Sequence, residues 1–133
     1  MWRIAVSWDN EEKTIIRWKF EAEWTWADVY HAIEREAELI DSVNQGVDAI
    51  TDMSQMTRTP TSAFSMVKSA MQSRHERLGI TVLYGNNMYT RMMYQMIATV
   101  YPEMLENRRL FMTNTEDEAY EIIAEFGQSP AGK

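Results

Sequence analysis

The sequence has 133 residues, with 20 acidic and 13 basic side chains, a formal net charge of −7 and no cysteine. A chain of this length suits one domain that buries enough apolar surface to fold without a disulfide or a metal. Because its negative charge repels a phosphate backbone, we expect no nucleic-acid partner.

Charged residues appear early in the chain, at Arg3, Asp9 and Glu11. They interrupt the apolar stretch that a signal peptide needs. No later apolar run approaches the roughly 20 residues that span a bilayer. We therefore expect a cytoplasmic protein with no membrane partner.

The first 20 residues predict a β-hairpin. Apolar side chains alternate with others through both halves of this stretch, at Ile4, Val6, Trp8, Ile16, Trp18 and Phe20. A period of two is typical of strands with one buried face. We expect the polar residues 9–13 to form the turn, and Arg17 and Lys19 to point away from the core.

A capping-box variant, Thr25 with Asp28, predicts the start of the first helix. Apolar residues then recur at helical spacing: Trp26, Val29, Tyr30, Ile33, Ala37 and Ile40. This stripe indicates an amphipathic helix that ends near Asn44. The β-branched residues of 47–53 predict a third strand.

Thr59-Pro60 predicts the start of the second helix and Gly79 its end, because proline suits the first helical position and glycine the C-terminal cap. Four basic residues surround this helix, and we expect them on a solvated face: Arg58, Lys68, Arg74 and Arg77. The nearly continuous apolar run 80–84 is typical of a central strand covered on both faces.

The pair Asn86-Asn87 predicts the cap of a third helix that runs to Pro102. A fifth strand at 109–112 and a last helix, from Thr115 to Gly127, complete the chain. The order ββαβαβαβα predicts a single α/β domain over 1–127, with an N-terminal antiparallel hairpin and an otherwise mostly parallel sheet. Residues 128–133 are expected to form a flexible tail.

This order resembles the STAS domain, the fold of anti-sigma factor antagonists and of the tails of sulphate transporters. The likeness covers 3–126, and Asp52-Met53-Ser54 is similar to the Asp-Leu-Ser that often closes the third strand in that family. In the antagonists the second helix opens with Asp-Ser-Ser/Thr-Gly, and a partner kinase phosphorylates the first of these hydroxyls. The matching residues here are Pro60-Thr61-Ser62-Ala63, which keep two hydroxyls but lack the aspartate and the glycine.

Polar side chains are expected to converge where the third and fourth strands end, because the carboxyl ends of parallel strands share one edge of a sheet. The candidates for a partner-binding or phosphorylation site are Asp52, Ser54, Thr59, Thr61, Ser62, Asn86 and Asn87. Amides at the start of the second helix suit an anionic group. The same residue types also form ordinary caps and turns, and the sequence leaves both uses open.

Catalytic residues are scarce. The chain has two histidines, His31 and His75, on separate predicted helices, and its glycines form no phosphate-binding loop. Asp48 and Asp52 share a strand face, but we expect Asp48 near a wet sheet face and Asp52 bonded to the backbone at the strand end. We therefore predict no enzyme, no catalytic or metal site and no cofactor.

The third helix carries more apolar surface than one core stripe requires. Its predicted core stripe is Tyr89, Met92, Met93, Met96 and Val100, and Tyr94, Ile97 and Tyr101 extend it along one flank. Tyrosine and methionine are enriched at protein interfaces, so this flank suits a partner or a second copy in a homodimer. Packing against neighbouring loops is the alternative.

The sequence and the resemblance together predict a non-enzymatic, STAS-like regulatory module. Its protein partner is expected to dock on the loop after the third strand and on the N-terminus of the second helix. The alternative function is a carrier of a lipid-like or other apolar small molecule, which requires an internal pocket of about 300 Å³ or more.

Overall fold

Strands and helices alternate along the residues that the computed structural model describes, which are 1–60 and 63–128. The elements are β1 Ile4–Trp8, β2 Ile15–Phe20, α1 Trp26–Asp41, β3 Val47–Asp52, α2 Ala63–Gln72, β4 Leu78–Tyr84, α3 Met88–Val100, α4 Glu103–Glu106, β5 Leu110–Thr113 and α5 Glu116–Phe126. The predicted order is confirmed, with the short α4 added after Pro102. Residues 129–133 of the predicted tail lie outside the described residues.

The sheet has five strands in the order β1-β2-β3-β4-β5. β1 and β2 are antiparallel, with Ile4 opposite Phe20 and Trp8 opposite Ile16. The pairs β2-β3, β3-β4 and β4-β5 are all parallel. The predicted mixed sheet with an antiparallel N-terminal hairpin is therefore confirmed.

Apolar residues form a core cluster on each face of the sheet. The larger cluster, which packs under α1, α2 and α3, includes Ile16, Trp18, Ile33, Ile40, Val47 and Leu83. The smaller cluster, which packs under α5, includes Ile50, Ile80, Val82, Ala119 and Ile123. Because β4 is buried along its whole length, the prediction of a strand covered on both faces is confirmed. None of the helices within the described residues is long and apolar enough to cross a bilayer.

The second helix is shorter than predicted, since α2 spans Ala63–Gln72 and Pro60 precedes it. Gly79 lies inside β4 instead of capping α2. An added Cβ at Gly79 would overlap the Asp48 carboxylate, whose Oδ1 accepts a hydrogen bond from Ile80 N at 2.9 Å. The absence of a side chain at Gly79 therefore lets β4 approach the Asp48 carboxylate of β3 closely. Asp48 is fully buried, so the expectation that it lies near a wet sheet face is wrong.

Three of the four basic residues near α2 have ordinary positions. Arg58 and Lys68 are exposed, as expected. Arg77 donates hydrogen bonds to Ile40 O at 2.8 Å and to Val43 O at 3.1 Å. Its cation thus satisfies carbonyl groups at the C-terminus of α1, where positive charge is favourable.

The fourth basic residue, Arg74, is buried, with 8% of its side chain exposed, so its predicted solvated position is wrong. Its Nε and Nη2 donate to the Glu36 carboxylate at 3.0 and 2.8 Å, and its Nη1 donates to Thr81 Oγ1 at 2.7 Å. Trp18 Nε1 donates to Glu36 at 2.7 Å and completes the Glu36–Arg74 pair. The guanidinium also lies over the Trp18 ring, 5.2 Å from its centroid.

Glu36 is 0% exposed, so water cannot solvate its carboxylate. Each charge of the pair therefore needs the other as its counter-charge. Transfer of an ion from water to a protein interior costs several kcal/mol, and the pair offsets this cost through its hydrogen bonds. Removing one partner leaves the other charge buried and unpaired. Replacing both by apolar side chains removes the desolvation cost and the attraction together.

We predict that Glu36→Leu and Arg74→Met each lower the free energy of unfolding by about 3–5 kcal/mol. The double variant should recover part of this loss, because no unpaired charge remains, although Trp18 Nε1 loses its acceptor. Urea denaturation of the four proteins measures the coupling. The exposed pair Arg35–Glu38 is the matched control, and its removal should cost less than about 1 kcal/mol. Additive losses in the double variant would contradict the prediction.

Candidate functional site

The strands β2, β3, β4 and β5 end at one edge of the sheet, with Lys19, Asp52, Tyr84 and Thr113 at the same level. The loops after β3 and β4 therefore lie side by side. Asp52 is the last residue of β3, Ser54 follows it in the first loop, and Asn87 comes from the second. The structure brings these three predicted site residues to one place.

Asp52 anchors the start of the loop that follows β3. Its Oδ1 accepts hydrogen bonds from Ser54 N at 2.9 Å and from Ser54 Oγ at 2.6 Å. Such a bond from the backbone at the end of the strand was expected. Burial acts to raise the pKa of Asp52, but these bonds and the nearby hydroxyl of Tyr84 and charge of Arg17 lower it below its ordinary value. Asp52 therefore stays ionised at neutral pH.

Asn87 ties the two loops together. Its Nδ2 donates to Met53 O at 3.0 Å, and its Oδ1 caps α3 by accepting from Thr90 N at 2.9 Å and from Thr90 Oγ1 at 3.1 Å. Gly85 has φ +155°, and a Cβ there would press against Thr90 and Met53. Asn87 is thus a structural clamp whose donor and acceptor already have partners.

The outer part of the loop after β3 contacts the loop that follows β2. Thr57 donates from N and from Oγ1 to Ala22 O at 3.0 and 3.1 Å. Arg58 lies 3.6 Å from the Glu23 carboxylate. Thr59 is half-buried. Ser54 and Gln55 in the first loop and Asn86 in the second are exposed polar residues.

Two of the predicted site residues, Thr61 and Ser62, lie outside the described residues. The nearest described element is α2, which begins at Ala63.

A polar cluster that the sequence did not predict lies beside this edge, around Arg17 of β2. Its Nε donates to Asp9 Oδ1 at 2.7 Å and its Nη1 to the Tyr84 hydroxyl at 2.8 Å. Its Nη2 donates to Glu116 Oε2 at 2.6 Å and to the Tyr120 hydroxyl at 3.0 Å. We call Arg17, Asp9, Asp52, Tyr84, Glu116 and Tyr120 the Arg17 cluster. Arg17 and Lys19 both point away from the face of Ile16, Trp18 and Phe20, as expected, but Lys19 is exposed whereas the Arg17 side chain is held under α5.

The contacts within the Arg17 cluster keep Arg17 charged and the Tyr84 phenol protonated. Burial lowers the pKa of Arg17, but its hydrogen bonds to Asp9, Tyr84, Tyr120 and Glu116 outweigh burial and raise it. Burial raises the pKa of Tyr84 well above its ordinary value, so the phenol stays protonated and donates to Glu116 at 3.1 Å. The guanidinium is therefore permanently charged and bonded through all three of its nitrogens.

The other candidate catalytic groups also have structural partners. His31 stacks on Trp2 with ring centroids 3.9 Å apart, and His75 Nε2 lies 2.7 Å from Asp41 Oδ1. Asp48 accepts from the Ile80 amide, as described above. Among residues 1–60 and 63–128 there is no group of three or more side chains that could hold a metal ion.

The third helix is rotated relative to the predicted stripe. Ile97, predicted on the interface flank, is 3% exposed and belongs to the core, whereas Met92, predicted in the core, is 42% exposed. Tyr94 and Tyr101 are half-buried. Because apolar residues occur on several sides of α3, its own sequence does not select one face, and packing against α2 and the sheet does. Ile97 therefore offers no surface to a partner.

No family model and no curated protein matches the sequence. The fold is similar to the solved structure of the anti-sigma factor antagonist SpoIIAA in its unphosphorylated form. The two chains are 15% identical, the TM-score is 0.61, and the match covers 90% of this chain and 95% of the other. At this identity the likeness concerns the fold, and the chain has a STAS-like fold.

We predict that Asn87→Asp loosens the loop after β3 without disrupting α3. An aspartate still caps the Thr90 amide, but it places a carboxylate against Met53 O, which also accepts from Met56 N at 3.2 Å. Hydrogen exchange at the Met56 amide should therefore accelerate, while exchange within α3 should remain close to wild type. Asn87→Ala, the comparison variant, should also destabilise α3 by about 1 kcal/mol. Unchanged Met56 exchange in both variants would show that Asn87 does not hold the loop.

Proposed function

We propose that this chain is a non-enzymatic, STAS-like regulatory module whose protein partner docks on the loop after β3 and on the N-terminus of α2. The observation that carries this proposal is the construction of the loop. Its base is held at Met53 and Ser54, while Ser54 and Asn86 expose polar groups to solvent. A loop that is already ordered loses less conformational entropy when a partner binds.

The state of the polar groups at this edge supports binding over catalysis. Asp52 is ionised and bonded to Ser54, and the Tyr84 phenol is protonated and bonded to Glu116. A general base or acid needs a pKa near the working pH. The shifts of Asp52 and Tyr84 move both groups away from neutral pH. We therefore assign no reaction step to this edge.

The volume of the cavity inside the larger core supports the module over the carrier of an apolar ligand. Pockets of about 230 and 410 Å³ lie beside Arg109 and along α3, but the cavity between the sheet and the three helices has a volume of about 50 Å³. Trp18, Phe20, Trp24 and Met93 are among the described residues that line it. Ligand pockets usually measure roughly 300–1,000 Å³. A lipid-like molecule would require these packed side chains to separate.

Thr61 and Ser62 are the proposed phosphorylation sites, and they directly precede the first described residue of α2. Amides at a helix N-terminus favour added negative charge. The proline and alanine that flank these hydroxyls replace the aspartate and glycine of the antagonists, which favours constitutive binding without a kinase. We place this binding in the cytoplasm, and Tyr94 and Tyr101 remain a secondary interface proposal.

We predict that Thr61→Glu and Ser62→Glu retain the wild-type melting temperature, because charge near a helix N-terminus changes stability by only about 1 kcal/mol. Both should weaken partner binding, since the new charge lies on the docking edge. Affinity capture from the native cytoplasm with quantitative mass spectrometry measures binding, and calorimetry measures stability. Thr99→Glu, on the exposed side of α3, is the matched control. Unchanged capture by both glutamate variants would contradict the proposed site.

We also predict that Asn86→Arg weakens capture of the same partner without lowering the melting temperature. Asn86 is exposed, so its replacement leaves the core intact. The arginine adds bulk and charge to the loop after β4, at the docking edge. An equal substitution at exposed Gln95 of α3 is the control. Equal capture by the Asn86 and Gln95 variants would exclude the loop after β4 from the contact.

A further inference from the structure

Asp52, the last residue of β3, contacts both the proposed docking loop and Arg17. Its Oδ1 holds Ser54, as described above, and its Oδ2 lies 3.8 Å from Arg17 Nη1. The two oxygens of one carboxylate thus contact the loop on one side and the cluster on the other. The orientation of Asp52 depends on both contacts.

Arg17 has a geometry suited to orienting Asp52. Its side chain is 20% exposed, and its bonds to Asp9, Glu116 and two tyrosine hydroxyls hold the planar guanidinium from several directions. These partners come from the β1-β2 turn, β4 and α5. A guanidinium held in this way presents its charge to Asp52 at a constant position.

Removal of the Arg17 charge would change the electrostatics of the whole cluster. The carboxylates of Asp9 and Glu116 would remain near Asp52 without a counter-charge, and nearby negative charges raise the pKa of Asp52. A protonated or rotated Asp52 accepts less well from Ser54. The bond that anchors the start of the loop would therefore weaken.

We propose that Arg17 is the positioning residue of the loop after β3, which it holds through Asp52. This inference rests on the proposed function only where it concerns partner binding. It assigns to Arg17 a specific effect on Ser54, in addition to the general effect of joining α5 to the hairpin. The two effects are separable because Tyr120 shares Arg17 Nη2 with Glu116, so removal of the Tyr120 hydroxyl leaves every guanidinium nitrogen with a partner.

The test compares wild type with Arg17→Met, Arg17→Lys and Tyr120→Phe by NMR. Exchange of the Ser54 amide should accelerate in Arg17→Met by about tenfold, the effect of weakening one hydrogen bond to a charged group. Core amides of β3 and β4 serve as the reference for global unfolding. Tyr120→Phe should leave Ser54 exchange unchanged although it removes a bond to the same arginine.

The pH dependence of the chemical shift of the Ser54 amide is a second readout, because this amide donates to Asp52 and so reports the protonation of its carboxylate. The pKa of Asp52 is lowered in the folded protein, so its bond to Ser54 is present above that pKa and is lost as the pH falls through it. The midpoint should move to higher pH in Arg17→Met and stay unchanged in Tyr120→Phe. Arg17→Lys keeps the positive charge but lacks the planar guanidinium with its several donors. Its Ser54 exchange rate and titration midpoint should therefore lie between those of wild type and Arg17→Met.

Wild-type Ser54 exchange and titration in Arg17→Met would overturn the proposal. If Arg17→Met does not fold, the same result in Arg17→Lys would overturn it. Partner capture separates this inference from the proposed function. Faster Ser54 exchange with wild-type capture would support the role of Arg17 and contradict the docking site, whereas weakened capture with unchanged Ser54 exchange would contradict the role of Arg17 alone.

Discussion

The buried pair of Glu36 and Arg74 is the interaction on which the larger core depends. It joins α1 to the segment that follows α2, and through Trp18 and Thr81 it reaches β2 and β4. Charges are tolerated in this interior only because both carboxylate oxygens of Glu36 and all three nitrogens of Arg74 have partners. This requirement fixes where the C-terminal end of α2 meets the sheet.

The opposite end of α2 lies near the carboxyl edge of the sheet, where a different set of interactions shapes the loop after β3. Asn87 holds Met53, and Asp52 holds Ser54. These anchors are carried by strand ends and by a helix cap, which are rigid elements. The edge therefore combines an ordered base with exposed polar groups.

Much of the fold could be predicted because its signals are local. The alternation in β1 and β2, the apolar run of β4 and the Thr25–Asp28 capping box of α1 each act within a few residues. The span of α2 could not be predicted, because glycine is the residue that most often ends a helix and Gly79 therefore indicates an end for α2. Its actual role depends on the Asp48 carboxylate, which lies 31 positions earlier in the chain. The topology predicted that Asp52 and Asn87 lie close together at one edge of the sheet. It did not predict that these two side chains hold the loop after β3.

The sequence by itself determined the element order, the mixed sheet and the polar character of the carboxyl edge, since periodicity and caps are properties of neighbouring residues. The tertiary structure decided which charges are buried, which face of α3 enters the core, and that Arg17 rather than a loop residue lies at the centre of the polar cluster. Arg17 and Tyr120 are 103 positions apart. Burial energies and hydrogen bonds over such separations depend on the whole packed molecule, so no local pattern encodes them.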